Sequence, residues 1–170
     1  MTVYVALLRG VNLGKRQLKM DDLRRIAVEL GLDDAKTYIA SGNLLFRSGK
    51  GEKVLKADLE AALAKHIGAK VGVMIRTADE LAGVVSVNPF KKEAPNFSVA
   101  IFLDEAPPVD SPNAAKNVES ERIALGKREF YVHYPRGQGQ SRLAIPAAAQ
   151  GTARNMNTVA KLAELARELK

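Results

Sequence analysis

Residues 36–47, KTYIASGNLLFR, read as two short β-strands, 36–40 and 44–47, joined by Ser41-Gly42-Asn43. Gly and Asn accept the left-handed backbone that a tight hairpin requires. Upstream, Met20, Leu23, Ile26, Ala27 and Leu30 recur at helical spacing, with Asp21 and Asp22 suited to the first turn and Gly31 to the stop. Before that helix, residues 2–8 (TVYVALL) form a nearly continuous β-rich apolar run, as in a strand buried on both faces. Downstream, Leu55, Leu59, Ala62, Leu63 and Ile67 mark a second helix stopped by Gly68, and 71–76 (VGVMIR) makes a fourth strand. The hairpin therefore sits inside the order β-α-β-β-α-β, which is the ferredoxin-like split βαβ arrangement.

The rest of the chain follows the same logic. Thr77-Ala78-Asp79-Glu80 is a capping box that opens a helix over 78–86, and Asn88-Pro89 ends it. Residues 97–103 read as a strand, Pro107, Pro108 and Pro112 as a turn-rich link, and 113–118 as a short helix. A hairpin of 121–125 and 128–134 turns at Gly126-Lys127. Residues 136–142 (RGQGQSR) form a polar glycine-rich loop, and 144–149 fit no template. A last helix over about 154–169 carries Met156, Val159, Leu162, Ala163, Ala166 and Leu169 on one stripe. Residues 97–170 thus approximate the first half's order without a residue-level repeat. The expected architecture is α+β, with two ferredoxin-like (βαββαβ-type) subdomains packed together, 1–88 and 89–170.

A length of 170 residues at 46% hydrophobic is enough for a buried core. The absence of Cys excludes disulfides, thiolate nucleophiles and cysteine zinc sites. No apolar run approaches a membrane span and no basic region precedes the first apolar residues, so a cytoplasmic protein with no membrane partner is expected. The net charge of +7 is uneven: residues 1–25 hold six basic against two acidic side chains, and 127–142 hold four against one. Such an excess in two segments favours an acidic partner more than an even spread would; the alternative is that the charge serves solubility.

Polar segments at element ends are the candidate sites. Arg9 closes the first strand and Asn12 lies in a glycine-flanked turn. A guanidinium there forks two hydrogen bonds to a phosphate or carboxylate, or pairs with a local acid. Ser41 and Asn43 serve a hairpin turn in any case. Gly151 to Thr158 lies where an apolar helical pattern begins, so unpaired N–H groups plus Arg154 would make an anion pocket. His133 is either a general base near neutral pH or, on the more ordinary reading, a partly buried histidine on a strand, and Tyr134 is a second possible acid/base group. Tyr4, Phe46, Phe97 and Phe130 read as core, leaving Tyr38, Tyr131 and Tyr134 as possible stackers for bases. The two His residues and scattered carboxylates offer no metal constellation, and no cofactor is expected.

ALLRGVNLG at 6–14, TYIASGNLLF at 37–46, YVHYPRGQGQSRL at 131–143 and TARNMNTVAKL at 152–162 together resemble the bacterial "domain of unknown function 1697" family. The resemblance implies two ferredoxin-like subdomains and no particular activity. It also implies a shared surface of Arg9, Asn12, Ser41, Asn43, Tyr134, Arg142, Arg154, Asn155 and Asn157. Family members often carry Trp between the two Asn of the last motif, where this chain has Met156. The leading expectation is a binding protein for an anionic ligand: a nucleotide, a nucleic acid or a phosphorylated metabolite. One rival is an enzyme using the same polar residues with His133 or Tyr134 as acid/base. A second rival is that the polar motifs are purely structural.

Overall fold

The computed structural model describes residues 1–170. It is an α+β protein with two four-stranded antiparallel sheets. The chain divides into two compact units, residues 1–82 with 162–170, and residues 83–161.

In the first unit the elements are β1 (Thr2–Leu8), α1 (Met20–Glu29), β2 (Asp33–Thr37), β3 (Asn43–Ser48), α2 (Glu52–Ile67) and β4 (Val73–Thr77). The sheet order is β2-β3-β1-β4, so one antiparallel strand separates each pair of strands joined by a helix. β1 is central, pairing Tyr4 with Phe46 on one side and with Thr77 on the other. Its alternate residues Tyr4, Ala6 and Leu8 join Leu44, Phe46, Val73 and Ile75 in one core with Leu23, Ile26, Leu55, Leu59 and Leu63 of the helices. The opposite face, with Val3, Val5, Leu7, Leu45 and Met74, is buried too. Burial on both faces explains an unbroken apolar run where a half-buried strand would alternate.

β2 ends three residues earlier than the hairpin reading expected. Ile39 and Gly42 have φ of 52° and 92°, so residues 38–42 leave the extended strand conformation. Asn43 belongs to β3 and its side-chain amide donates to the Tyr38 carbonyl (2.9 Å) and Ser41 Oγ (3.0 Å). The turn is therefore a wider loop tied by Asn43.

In the second unit β5 (Ser98–Phe102), β6 (Arg122–Leu125), β7 (Glu129–His133) and β8 (Thr152–Asn155) form the order β6-β7-β5-β8, matching the first sheet strand for strand. The helices do not match. Between β5 and β6 stands only the four-residue α4 (Ser111–Ala114), and between β7 and β8 only two short 3-10 turns. The expectation of a second βαββαβ order fails at those places. Pro107, Pro108 and Pro112 lack backbone donors, and the glycine-rich loop after β7 carries no amphipathic stripe. Ala115, Leu143, Ile145 and Ala148 cover Val99, Phe130 and Val132 instead.

Two further helices are α3 (Ala78–Ser86) and α5 (Met156–Glu168), and the unit divisions fall inside both. The division at 82/83 falls inside α3, and the segment that follows packs on the second sheet. Tyr131 donates to the Val84 carbonyl (2.8 Å), and the Phe90 ring lies 5.8 Å from that of His133. The capping box forms as expected: the Glu80 N–H donates to Thr77 Oγ1 (3.1 Å) and the Thr77 N–H to Glu80 Oε1 (2.9 Å).

Candidate functional site

The first two motifs meet at one end of the first sheet. Beyond Leu8 the chain turns through Gly10 (φ 71°) and Asn12 (φ 57°). Asn12 Nδ2 donates to the carbonyls of Leu18 (3.0 Å) and Ala40 (2.7 Å), and Asn12 Oδ1 accepts from the Leu18 N–H (2.7 Å). One side chain thus closes its own loop and latches it to the loop after β2. The Leu8 N–H donates to the Gly42 carbonyl (2.9 Å) and the Arg9 N–H to the Gly72 carbonyl (2.8 Å). Around this end stand Arg9 and Arg16, both half-buried, and the exposed Lys15 and Lys19. Residues 1–20 contain no carboxylate. Ser41 is exposed, whereas Asn43 is fully buried. Ile39, a β-branched residue at positive φ, is strained and 48% exposed beside the latch.

The last two motifs meet at one end of the second sheet. β7 and β8 both finish where β5 begins, since Ser98 pairs with His133 and Val99 with Asn155. The Tyr134 N–H donates to the Phe97 carbonyl (2.7 Å) and the Gly137 N–H to the Tyr134 carbonyl (2.9 Å). Arg142 and Asn157 are exposed, whereas Tyr134 is buried. Met156 is 4% exposed and packs inward.

Arg154 is not at a helix start. It lies within β8 opposite Ala100, 7% exposed, and its guanidinium donates to Thr152 Oγ1 (2.7 Å) and the Ala153 carbonyl (2.9 Å). Burial lowers its pKa to about 10. The helix α5 begins two residues later, and Asn155 caps it by accepting from the Thr158 N–H (2.9 Å). The first unit builds the same corner. Arg76, 1% exposed and opposite Val5, donates to the carbonyl of the preceding residue (2.9 Å), and Thr77 caps α3. Arg76-Thr77 and Arg154-Asn155 are thus one device used twice: a buried arginine, an N-cap, a helix. The sequence carries this repeat, but with only Arg kept between the two copies no apolar period reveals it.

His133 is 5% exposed. Its Nδ1 shares a hydrogen bond with Ser98 Oγ (3.1 Å), and its Nε2 is 3.7 Å from Glu93 Oε2. Ser98 is 1% exposed, which leaves its hydroxyl no approach for a substrate. Glu93 pairs with Arg122 (2.7 Å), whose guanidinium lies 5.1 Å over the Phe90 ring. The Arg122 hydrogen bond, with its charge and that of His133, holds the Glu93 carboxyl below its ordinary pKa. Glu93 is the acid neighbour of His133 that sequence spacing could not assign.

Tyr131 and Tyr134 are buried rather than available for stacking. Burial, aided by Glu129, holds the Tyr131 phenol well above its ordinary pKa; burial and Glu121 raise that of Tyr134. The unfolded chain ionises these phenols near pH ~10 and the folded chain does not. The stability they contribute is therefore present below that pH and lost as pH rises above it. Tyr131→Phe is expected to flatten the alkaline loss of stability while costing about 1 kcal/mol at neutral pH through the lost bond to Val84. Urea midpoints at neutral pH and at about pH 11 measure both effects; an unchanged alkaline slope would show that Tyr131 does not carry it.

No group of three His, Cys, Asp or Glu side chains comes together as a metal cluster would. No helix is long and apolar enough to cross a membrane.

These features define an α+β protein of two antiparallel sheets, each with a pair of polar motifs gathered at one end. The chain belongs to the family described as "Protein of unknown function (DUF1697)", whose model matches residues 1–131. The match ends within β7, so the motifs at 131–143 and 152–162 lie almost wholly beyond it. The fold is similar to that of the conserved bacterial protein SP0830 from Streptococcus pneumoniae, with a TM-score of 0.82 at 24% identity over 98% of this chain and 99% of that one. No curated protein matches the chain.

Proposed function

We propose that the protein binds an anionic, phosphate-bearing ligand at the loop end of the first sheet. The observation that carries this reading is the latch of Asn12 to Ala40, which holds a carboxylate-free loop with Arg9, Lys15, Arg16 and Lys19 in one conformation. Rigid positive-φ turns and guanidinium groups suit phosphate oxygens. Arg9 and Arg16 contact the ligand in this reading, and Asn12, Ser41 and Asn43 shape the loops. The split strand order of the first unit supports a ferredoxin-like fold there. In the second unit Arg142 and Asn157 face outward and remain candidate contacts.

A structural reading is favoured for four other polar residues. Asn12, Asn43, Arg154 and Asn155 all spend side-chain hydrogen bonds inside the protein. The burial of His133 and Tyr134 counts against either as an acid/base.

Calorimetric titration with inorganic pyrophosphate at low salt tests the proposal. Binding should weaken steeply as salt rises, since phosphate contacts displace counterions. Arg9→Ala and Arg16→Ala should each weaken it roughly tenfold, the worth of a charged hydrogen bond. No heat at low salt, or affinity unmoved by both substitutions, would overturn it.

A further inference from the structure

Phe97 was expected in a strand core, yet it ends a 3-10 turn, Pro95–Phe97, and is 38% exposed. It is held firmly: its N–H donates to the Ala94 carbonyl (3.0 Å), its carbonyl accepts from Tyr134, and the next residue, Ser98, is buried in β5. Beside the ring stands Gly137, at φ 86°, where an added Cβ would lie 3.9 Å from Phe97 Cε1. Gly137 sets no side chain against the ring at that point. Pro95, Asn96, Pro135 and Arg136 around it are exposed. Between Glu129 and Glu164 the sequence has no carboxylate, and Arg136, Arg142 and Lys161 add positive charge; Glu121, just before β6, reaches the loop and accepts from Ser141 Oγ (2.5 Å).

Other exposed apolar side chains, such as Val87 and Val109, are aliphatic and offer no flat face. A partly exposed aromatic ring on a fixed backbone, with the guanidinium groups of Arg136 and Arg142 on the loop that follows, matches a base stacked on the ring and phosphates held by the arginines. We propose that this end of the second unit is a binding site for single-stranded nucleic acid, with Phe97 as the stacking platform and Arg136 and Arg142 as backbone contacts. Recognition of this kind is tolerant of sequence because every base has a π-face. The site lies in the second unit and does not depend on the pyrophosphate site proposed for the first.

The chain has no Trp, so Phe97→Trp makes the introduced indole the sole one. A short oligothymidylate is expected to quench its fluorescence, and an abasic strand of equal length is expected not to. In anisotropy titrations with labelled oligothymidylate, Phe97→Ala should raise Kd at least about fivefold with the far-UV spectrum unchanged. Arg136→Ala should lower the slope of log affinity against log salt by about 0.7, the share of one phosphate on a single strand. Arg9→Ala should leave the quench in place, which separates this site from the first. No binding at low salt, equal quenching by the abasic strand, or an unchanged Kd in Phe97→Ala would overturn the proposal. Thymidine monophosphate quenching as fully as the strand at equal concentration would overturn it in favour of a mononucleotide site. Lost quenching with pyrophosphate binding retained would sink this inference alone.

Discussion

Gly42→Ala is expected to destabilise the first unit by about 3 kcal/mol or more, close to the limit that one methyl group can exert. Two costs add. The residue sits at φ 92°, a backbone that a side chain resists by roughly 1–2 kcal/mol. The new Cβ would also stand 2.6 Å from Val11 Cγ2 and 2.9 Å from Leu8 Cβ. Both neighbours are buried, at 3% and 0% exposure, so neither can swing into solvent. Moving the loop instead would break the Leu8–Gly42 backbone bond and strain the Asn12–Ala40 latch. Urea denaturation checks the loss. A midpoint within error of the parent protein would mean that the loop relaxes freely and that the latch is weak. Gly14→Ala is the control: it shares a positive φ of 60° but has no heavy atom within 4 Å of its added Cβ, so it should show only the backbone cost.

Arg154→Ala is expected to cost about 3 kcal/mol, and Arg154→Met distinctly less. The alanine removes the donor to Thr152 Oγ1 and the Ala153 carbonyl and empties a buried site. Methionine refills most of that volume without a charge. Burial already lowers the arginine's pKa to about 10, so the interior disfavours the cation and gains when the charge goes. Arg76→Ala and Arg76→Met should behave alike, because Arg76 is 1% exposed on the corresponding corner. Urea midpoints for the four variants decide the role of Arg154. A midpoint unchanged in Arg154→Ala would overturn the structural reading.

The elements legible along the chain were those with a local period. β1, α1, α2 and α3 declare themselves by an apolar run, by stripes at helical spacing, and by a capping box. β8 has no such signal. Thr152, Ala153, Arg154 and Asn155 alternate in no recognisable way, and they are a strand because β5 offers them an edge. Asn12 and Asn43 were legible as turn residues, but the bond from Asn12 to Ala40 joins positions far apart in sequence. Phe97 and Tyr131 exchanged places between surface and interior for a simple reason. A strand start read one residue early puts Phe97 in the sheet, while Tyr131 is covered by Val84, which no spacing rule connects to it.

The amino-acid order alone determined the helices and strands of the first unit apart from the placement of β2, the positions of its capping box and glycine stops, and the clustering of positive charge, because each follows from neighbours within a turn or two. Which arginines are buried, which aromatic faces outward and which loops touch depended on strand pairing between distant segments. That pairing buries or exposes a side chain according to what arrives on the other side, and nothing in a residue's own surroundings along the chain encodes it.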